Sequence, residues 1–163
     1  MTDQRTDAAD HSRKPRFDVV SREISAPPER VFDVLTDPSR HPGLDDSGMV
    51  LELLDGDRLT EVGQVFRMRM TMGGANRYET DNRVVAFEPG RTIAWTTAEA
   101  DHEPLGWLWR YDLEPTPAGT LVSQTYDWSG VTDKETLQMI PFPAVPRDAR
   151  LETLELLAQA TES

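Results

Sequence analysis

Apolar and polar residues alternate through most of residues 17–128, and short clusters of turn residues interrupt the alternation. Phe17 to Ser25 reads as a strand, with Val19, Val20 and Ile24 apolar. Six further runs have the same character: Met49–Leu54, Gln64–Met72, Tyr78–Phe87, Thr92–Ala98, Gly106–Glu114 and Thr120–Trp128. They are separated by Asp55-Gly56-Asp57, Gly73-Gly74-Ala75-Asn76, Glu88-Pro89-Gly90, Asp101-His102-Glu103-Pro104 and Pro117-Ala118-Gly119. Gly73-Gly74 suits a tight hairpin and Pro89-Gly90 a type II turn. Connections this short favour antiparallel neighbours, because a parallel return needs a longer crossover.

Helical spacing occurs in only a few places. Ala26-Pro27-Pro28 stops the first strand and suits a helix entrance. Glu29–Leu35 follows, with Val31, Val34 and Leu35 spaced for one helical face, and Asp37-Pro38 ends it. Ser39–Leu44 reads as a second short helical turn. Near the C-terminus, Thr132 and Glu135 have capping-box spacing for a short helix through Ile140, interrupted by Pro141, Pro143 and Pro146. Residues 147–161 give the strongest helix, with a stripe of Leu151, Leu154, Leu157 and Ala158 opposite Glu152, Glu155 and Gln159. The predicted fold class is α+β: a seven-stranded antiparallel sheet curved around a long C-terminal helix, with two short helices after the first strand.

One stretch sharpens this picture. All four tryptophans, with Tyr111 and Tyr126, lie between Trp95 and Trp128. Ile93, Trp95 and Thr97 share one parity; so do Trp107, Trp109, Tyr111 and Leu113, and so do Gln124, Tyr126 and Trp128. Alternate strand residues share a face, so the sheet has an aromatic face with a few polar tips. Such a face packs a core or walls a pocket for an apolar molecule. Trp95, Trp109, Tyr111, Tyr126 and Trp128 are the candidate wall. Phe66, Met68, Met70 and Met72 alternate with Arg67, Arg69 and Thr71, and the Phe/Met set is expected to point inward. If buried, the two tyrosine hydroxyls need partners, supplied by a ligand carbonyl or by Gln124 or Asn82.

Composition narrows the function classes. A chain of 163 residues fits one domain with a real core. Residues 1–15 are polar and aperiodic and read as a disordered tail before a domain over 16–163. They lack the apolar segment of a secretory signal. No run approaches the ~20 apolar residues of a membrane helix. The net charge of −12 argues against nucleic acid and anionic membranes as partners. Without cysteine there is no disulfide, thiolate nucleophile or cysteine-based zinc site, which suits a cytoplasmic protein. The only histidines are His11, His41 and His102, so no metal site is expected. No phosphate loop or nucleophile elbow is present, and no cofactor is expected. Arg22 shares a parity with Val20 and Ile24 and should find an internal carboxylate, whereas Arg110 should face solvent.

Three segments carry a family resemblance. Ile24-Ser25-Ala26-Pro27-Pro28-Glu29-Arg30-Val31-Phe32-Asp33-Val34-Leu35-Thr36-Asp37 resembles the entry motif of bacterial START-like, helix-grip (SRPBCC) proteins of the polyketide cyclase/dehydrase-like group. Pro89-Gly90-Arg91-Thr92-Ile93-Ala94-Trp95 resembles their central hairpin. Trp109-Arg110-Tyr111-Asp112-Leu113-Glu114-Pro115 with Gly119-Thr120-Leu121-Val122 resembles their last hairpin. The likeness covers about residues 16–161. It implies a cavity between sheet and long helix for a small hydrophobic, lipid- or polyketide-like molecule, in a monomer or homodimer. The same fold hosts carriers, sequestering proteins, cyclases and chaperone-ATPase activators.

The resemblance places His41-Pro42-Gly43-Leu44-Asp45-Asp46-Ser47-Gly48 at the pocket entrance. His41 is a candidate proton carrier, Asp45 its candidate orienting group, and Ser47 a candidate ligand donor. The competing reading is a capped loop. His41, Asp45, Tyr111 and Tyr126 exhaust the acid/base candidates. Positioning is thus better supplied than proton transfer, which favours binding or transport over catalysis.

Overall fold

The computed structural model describes residues 15–72, 74 and 76–162. All of the predicted tail but Pro15, and part of the Gly73-Gly74 turn, lie outside the described residues. The chain runs β1 (Phe17–Ile24), α1 (Pro28–Leu35), a 3-10 helix (Pro38–Leu44), β2 (Val50–Asp55), β3 (Val65–Met72), β4 (Asn76–Glu88), β5 (Thr92–Glu99), β6 (Leu108–Thr116), β7 (Gly119–Asp127), α2 (Lys134–Met139) and α3 (Arg147–Thr161). All seven strands form one antiparallel sheet in the order β1-β7-β6-β5-β4-β3-β2. The first strand thus closes against the last, leaving β1 and β2 as the edges.

Local chemistry explains the joints. Pro28 occupies the first turn of α1, where a missing N–H is harmless, and Glu29 sits beside it. Val31, Phe32, Val34 and Leu35 turn inward. Asp37 caps the 3-10 helix by accepting from the Ser39 N–H at 3.1 Å. In the Pro89-Gly90 turn, the Arg91 N–H donates to Glu88 O at 3.0 Å and Gly90 has φ +72°, as a type II turn requires. The sheet bends where the β4–β5 register shifts between Val84 and Ala86 and where β2 slips twice against β3. Gly119 is confined by sterics as well as by φ: a Cβ there would lie 2.2 Å from Ile24 O.

The strand register lays out the inner face in rows. Val84, Trp95, Trp109, Tyr126 and Asp18 are successive cross-strand partners, as are Ile93, Tyr111, Gln124 and Val20. Helix α3 covers the β1 side of this face with Leu154, Leu157 and Ala158, all buried. Arg110 faces outward and pairs with Asp112 at 2.9 Å, as its parity requires.

Three expectations need correction. Met72 is 58% exposed, because it sits at the β3–β4 hairpin end, beyond the last β2–β3 rung at Val50 and Met70. Leu151 is 39% exposed, because its part of α3 overhangs the free edge of β1 rather than the sheet. Asp133, not Thr132, caps α2: its carboxylate accepts from the Thr136 N–H at 3.0 Å and hydroxyl at 2.7 Å.

The split within the α3 stripe has a measurable consequence. Leu154→Ala should lower the urea-unfolding free energy by about 2–5 kcal/mol. Leu151→Ala should stay within about 0.5 kcal/mol of wild type. Equal losses would contradict this docking of α3.

Candidate functional site

The rings of the aromatic face form two groups, one around Trp95 and one around Tyr126, and Trp109 packs against both. Trp95 lies 5.1 Å from the His41 ring, nearly parallel to it, 5.5 Å from Phe66 edge-on, and 5.8 Å from Tyr111. Trp109 stacks on its cross-strand partner Tyr126 at 4.1 Å and 5°. Tyr126 meets Trp128 at 5.1 Å. Phe142, from the proline-rich strap between α2 and α3, lies over Trp128 at 6.3 Å and against Trp107 at 5.8 Å. Trp107 precedes β6 and serves this strap.

Phe66, Met68, Trp95, Tyr111, Tyr126 and Trp128 are buried, while Met70 and Trp109 are partly buried against them. These side chains therefore come together on the inner face. Two concavities lie apart from it. One, of about 490 Å³, runs between β1 and α3 along Ser21, Arg22, Asp148, Leu151, Glu152 and Glu155. The other, of about 270 Å³, lies beside Asp81, Arg83 and His102.

Polar groups embedded in the layer are few. Gln124 Nε2 donates to the Tyr111 hydroxyl at 2.8 Å. Asn82 instead accepts from Thr97 Oγ1 at 2.7 Å and donates to Phe66 O. The Tyr126 hydroxyl accepts from the Ala144 N–H at 3.4 Å. Burial pushes both tyrosines up to about 12, so each is a neutral hydrogen-bonding hydroxyl at pH 7.

His41 does not work with Asp45. Its Nε2–H donates to Leu35 O at 2.8 Å, which leaves Nδ1 as the lone-pair nitrogen of the neutral ring. Burial lowers its pKa from 6.5, against smaller opposing effects of the Leu35 hydrogen bond and the Asp37 charge. Asp45 accepts from the Ser47 N–H, the Ser47 hydroxyl and the Val50 N–H, at 3.2, 2.7 and 3.0 Å. Ser47 donates its hydroxyl to Asp45 and accepts from the Met49 N–H. Asp45 and Ser47 thus form the capped loop, and only His41 reaches the rings. His102 Nδ1–H donates to Ala100 O at 2.9 Å in an exposed loop. Among the described residues, no group of three His, Cys, Asp or Glu is placed to hold a metal ion.

Two polar residues escaped the sequence reading. Arg150 is only 2% exposed, bonds the side chain and carbonyl of Asp18, and lies 5.7 Å above the Tyr126 ring. Burial alone would raise the Asp18 pKa, but hydrogen bonds from Arg150 and Arg147 hold it below the ordinary aspartate value. The signal was present: Arg150 lies four residues before Leu154 on the buried stripe, and Asp18 shares the parity of Val20. Arg22 does find a carboxylate, Glu155 at 2.8 Å, although both remain partly exposed.

Stability should record the His41 environment. An unfolded histidine gains its proton near pH 6.5, whereas the folded His41 resists it. Stability is therefore complete above 6.5 and falls as pH drops from 6.5 toward the lowered folded value. In urea unfolding at stepped pH, His41→Gln should lose this component of the slope. A proton-NMR midpoint for folded His41 at or above 6.5 would refute the assignment.

Comparison with known proteins places this architecture. Residues 19–159 match the family described as polyketide cyclase / dehydrase and lipid transport. The uncharacterized protein Rv0088 of Mycobacterium tuberculosis is 33% identical over 109 residues, 66% of this chain and 46% of that protein. The chain thus spans about half the length of the curated relatives it matches. Protein CV1439 of Chromobacterium violaceum has the same fold, with TM-score 0.68 and 23% identity over 91% of this chain and 99% of that one. An AHSA1-like protein of Aeromonas hydrophila superposes with TM-score 0.61 and 14% identity, covering 90% and 92%. Fold and family model agree, and the chain is a START-like, helix-grip member of the polyketide cyclase / dehydrase and lipid transport family.

Proposed function

We propose that the protein binds a small hydrophobic or aromatic molecule between the inner face of the sheet and α3, as a carrier or sequestering protein. The observation that carries this reading is the ring layer itself. Its two ring groups, Phe66–Trp95–Tyr111 and Trp109–Tyr126–Trp128, meet through Trp109, which packs against both; Met68 and Met70 border the first group, and the Tyr111 hydroxyl and His41 supply its polar groups. Methionine side chains repack around different shapes at low cost, and a few fixed polar groups suffice to orient an apolar guest. Family membership supports the same reading. Entry requires side chains to yield; the Phe142 strap is the element that covers the Trp107–Trp128 end of the layer.

One observation favours proton transfer as a second reading. His41 has a neutral ring whose Nδ1 has no hydrogen-bond partner among the described residues, and Tyr111 lies on the same ring layer as a neutral donor. Protein-dependent deuterium exchange at the α-carbon of a bound aryl ketone, lost in His41→Gln, would establish it.

Binding is tested by native mass spectrometry of the purified protein and by tryptophan emission titrated with fatty acids, flavonoids and aromatic polyketides. Saturable quenching, weakened several-fold by Trp109→Phe, is the expected outcome. No co-purified molecule and no response to any class would make the ring layer simply core.

A further inference from the structure

The inner face contains a buried polar node whose hydrogen-bonding capacity is not exhausted. Gln124 is 3% exposed and Tyr111 6% exposed, and they face each other across the β6–β7 ladder. Gln124 Nε2 donates to the Tyr111 hydroxyl at 2.8 Å, yet Gln124 Oε1 is buried without a partner. The hydroxyl proton of Tyr111 likewise has no acceptor among the described residues. Next along the same face of β7 is Tyr126, and over it lies Arg150, whose Nε is also buried and without a partner. Leaving such groups unpaired in a core is costly, so each marks a place where another polar atom belongs.

The chemistry of the missing group follows from the donors and acceptors. With the amide as oriented, a guest must accept from the Tyr111 O–H and donate to Gln124 Oε1. If the amide turns over, Tyr111 donates to Oε1. The guest must then accept from Nε2, and it can also donate to the free lone pair of the Tyr111 oxygen. A group that donates and accepts at once is required in the first orientation and uses every free site in the second. A hydroxyl does both, whereas a ketone or a carboxylate only accepts. Charge points the same way. The Arg150 charge is already paired with Asp18, so its remaining Nε–H can serve a neutral acceptor, whereas a carboxylate would bring a second anion beside Asp18.

We propose that Gln124 and Tyr111 form the polar end of the binding site and select a neutral, hydroxyl-bearing apolar ligand, an alcohol or phenol, over a carboxylate or a bare hydrocarbon. The proposal rests on the interior-binding reading above and specifies its ligand class.

The test compares three naphthalenes of similar size by isothermal titration calorimetry at neutral pH: 2-naphthol, 2-methylnaphthalene and 2-naphthoate. The wild type should bind 2-naphthol about ten-fold tighter than either of the others. Gln124→Leu should bring 2-naphthol down to the affinity of 2-methylnaphthalene. Tyr111→Phe serves the same purpose if the first variant does not fold. Equal wild-type affinities overturn the hydroxyl selection and leave interior binding standing, with an ordered water as the node's partner. Tightest binding of 2-naphthoate overturns it in favour of a carboxylate site. A preference that survives in both variants removes Gln124 and Tyr111 from the role. Absence of binding by all three overturns the interior-binding reading as well.

Discussion

A seven-stranded sheet with one aromatic face must have that face covered, and α3 is the longest helix of the described chain. Leu154, Leu157 and Ala158 supply the apolar contact, and the buried Arg150, bonded to Asp18, joins the helix to the edge strand. The other features follow from this docking. It closes the rows that run from Val84 to Asp18 and from Ile93 to Val20, and it sets Arg150 over Tyr126. It also leaves Leu151 overhanging an open groove beside Arg22 and Glu155.

Within the covered face, polarity is rationed. A hydrocarbon core of this size needs no histidine or glutamine, and each costs desolvation unless paired. His41 meets that demand through Leu35 O alone, and Gln124 through the Tyr111 hydroxyl alone. Both keep a second polar atom without a protein partner among the described residues. The apolar side chains around them are ones that adapt in shape. The combination of adaptable walls and a few incompletely paired polar groups is the physical basis of the proposal that this face binds a ligand.

The structure also separates the residue that meets the rings from those that only close the loop after α1. Proximity in sequence suggested that Asp45 would orient His41 and that Ser47 would donate to a ligand. In the fold, both close the loop on its own backbone N–H groups, because short side chains beside glycine satisfy local donors first. The imidazole is longer and inserts toward Phe66 and Trp95, where burial keeps it neutral.

The sequence by itself determined the elements and their faces. Strand parity is a property of the backbone with period two, so it assigned Phe66, Met68, Trp95, Trp109, Tyr111, Tyr126 and Trp128 to one side of the sheet. Turn residues and prolines act within a few positions, so they marked the strand ends and the start of α1. Parity fails where the sheet stops, as at Met72, and a helical stripe fails where its partner stops, as at Leu151. Only the tertiary structure decided which side chains meet. Gln124 reaches Tyr111 through the β6–β7 register. Arg150 reaches Asp18 across 132 residues of sequence, and Phe142 reaches Trp128 from a strap with no periodicity of its own. Such pairings depend on register and helix docking, which are set by the burial of the whole face and not by any local run of residues.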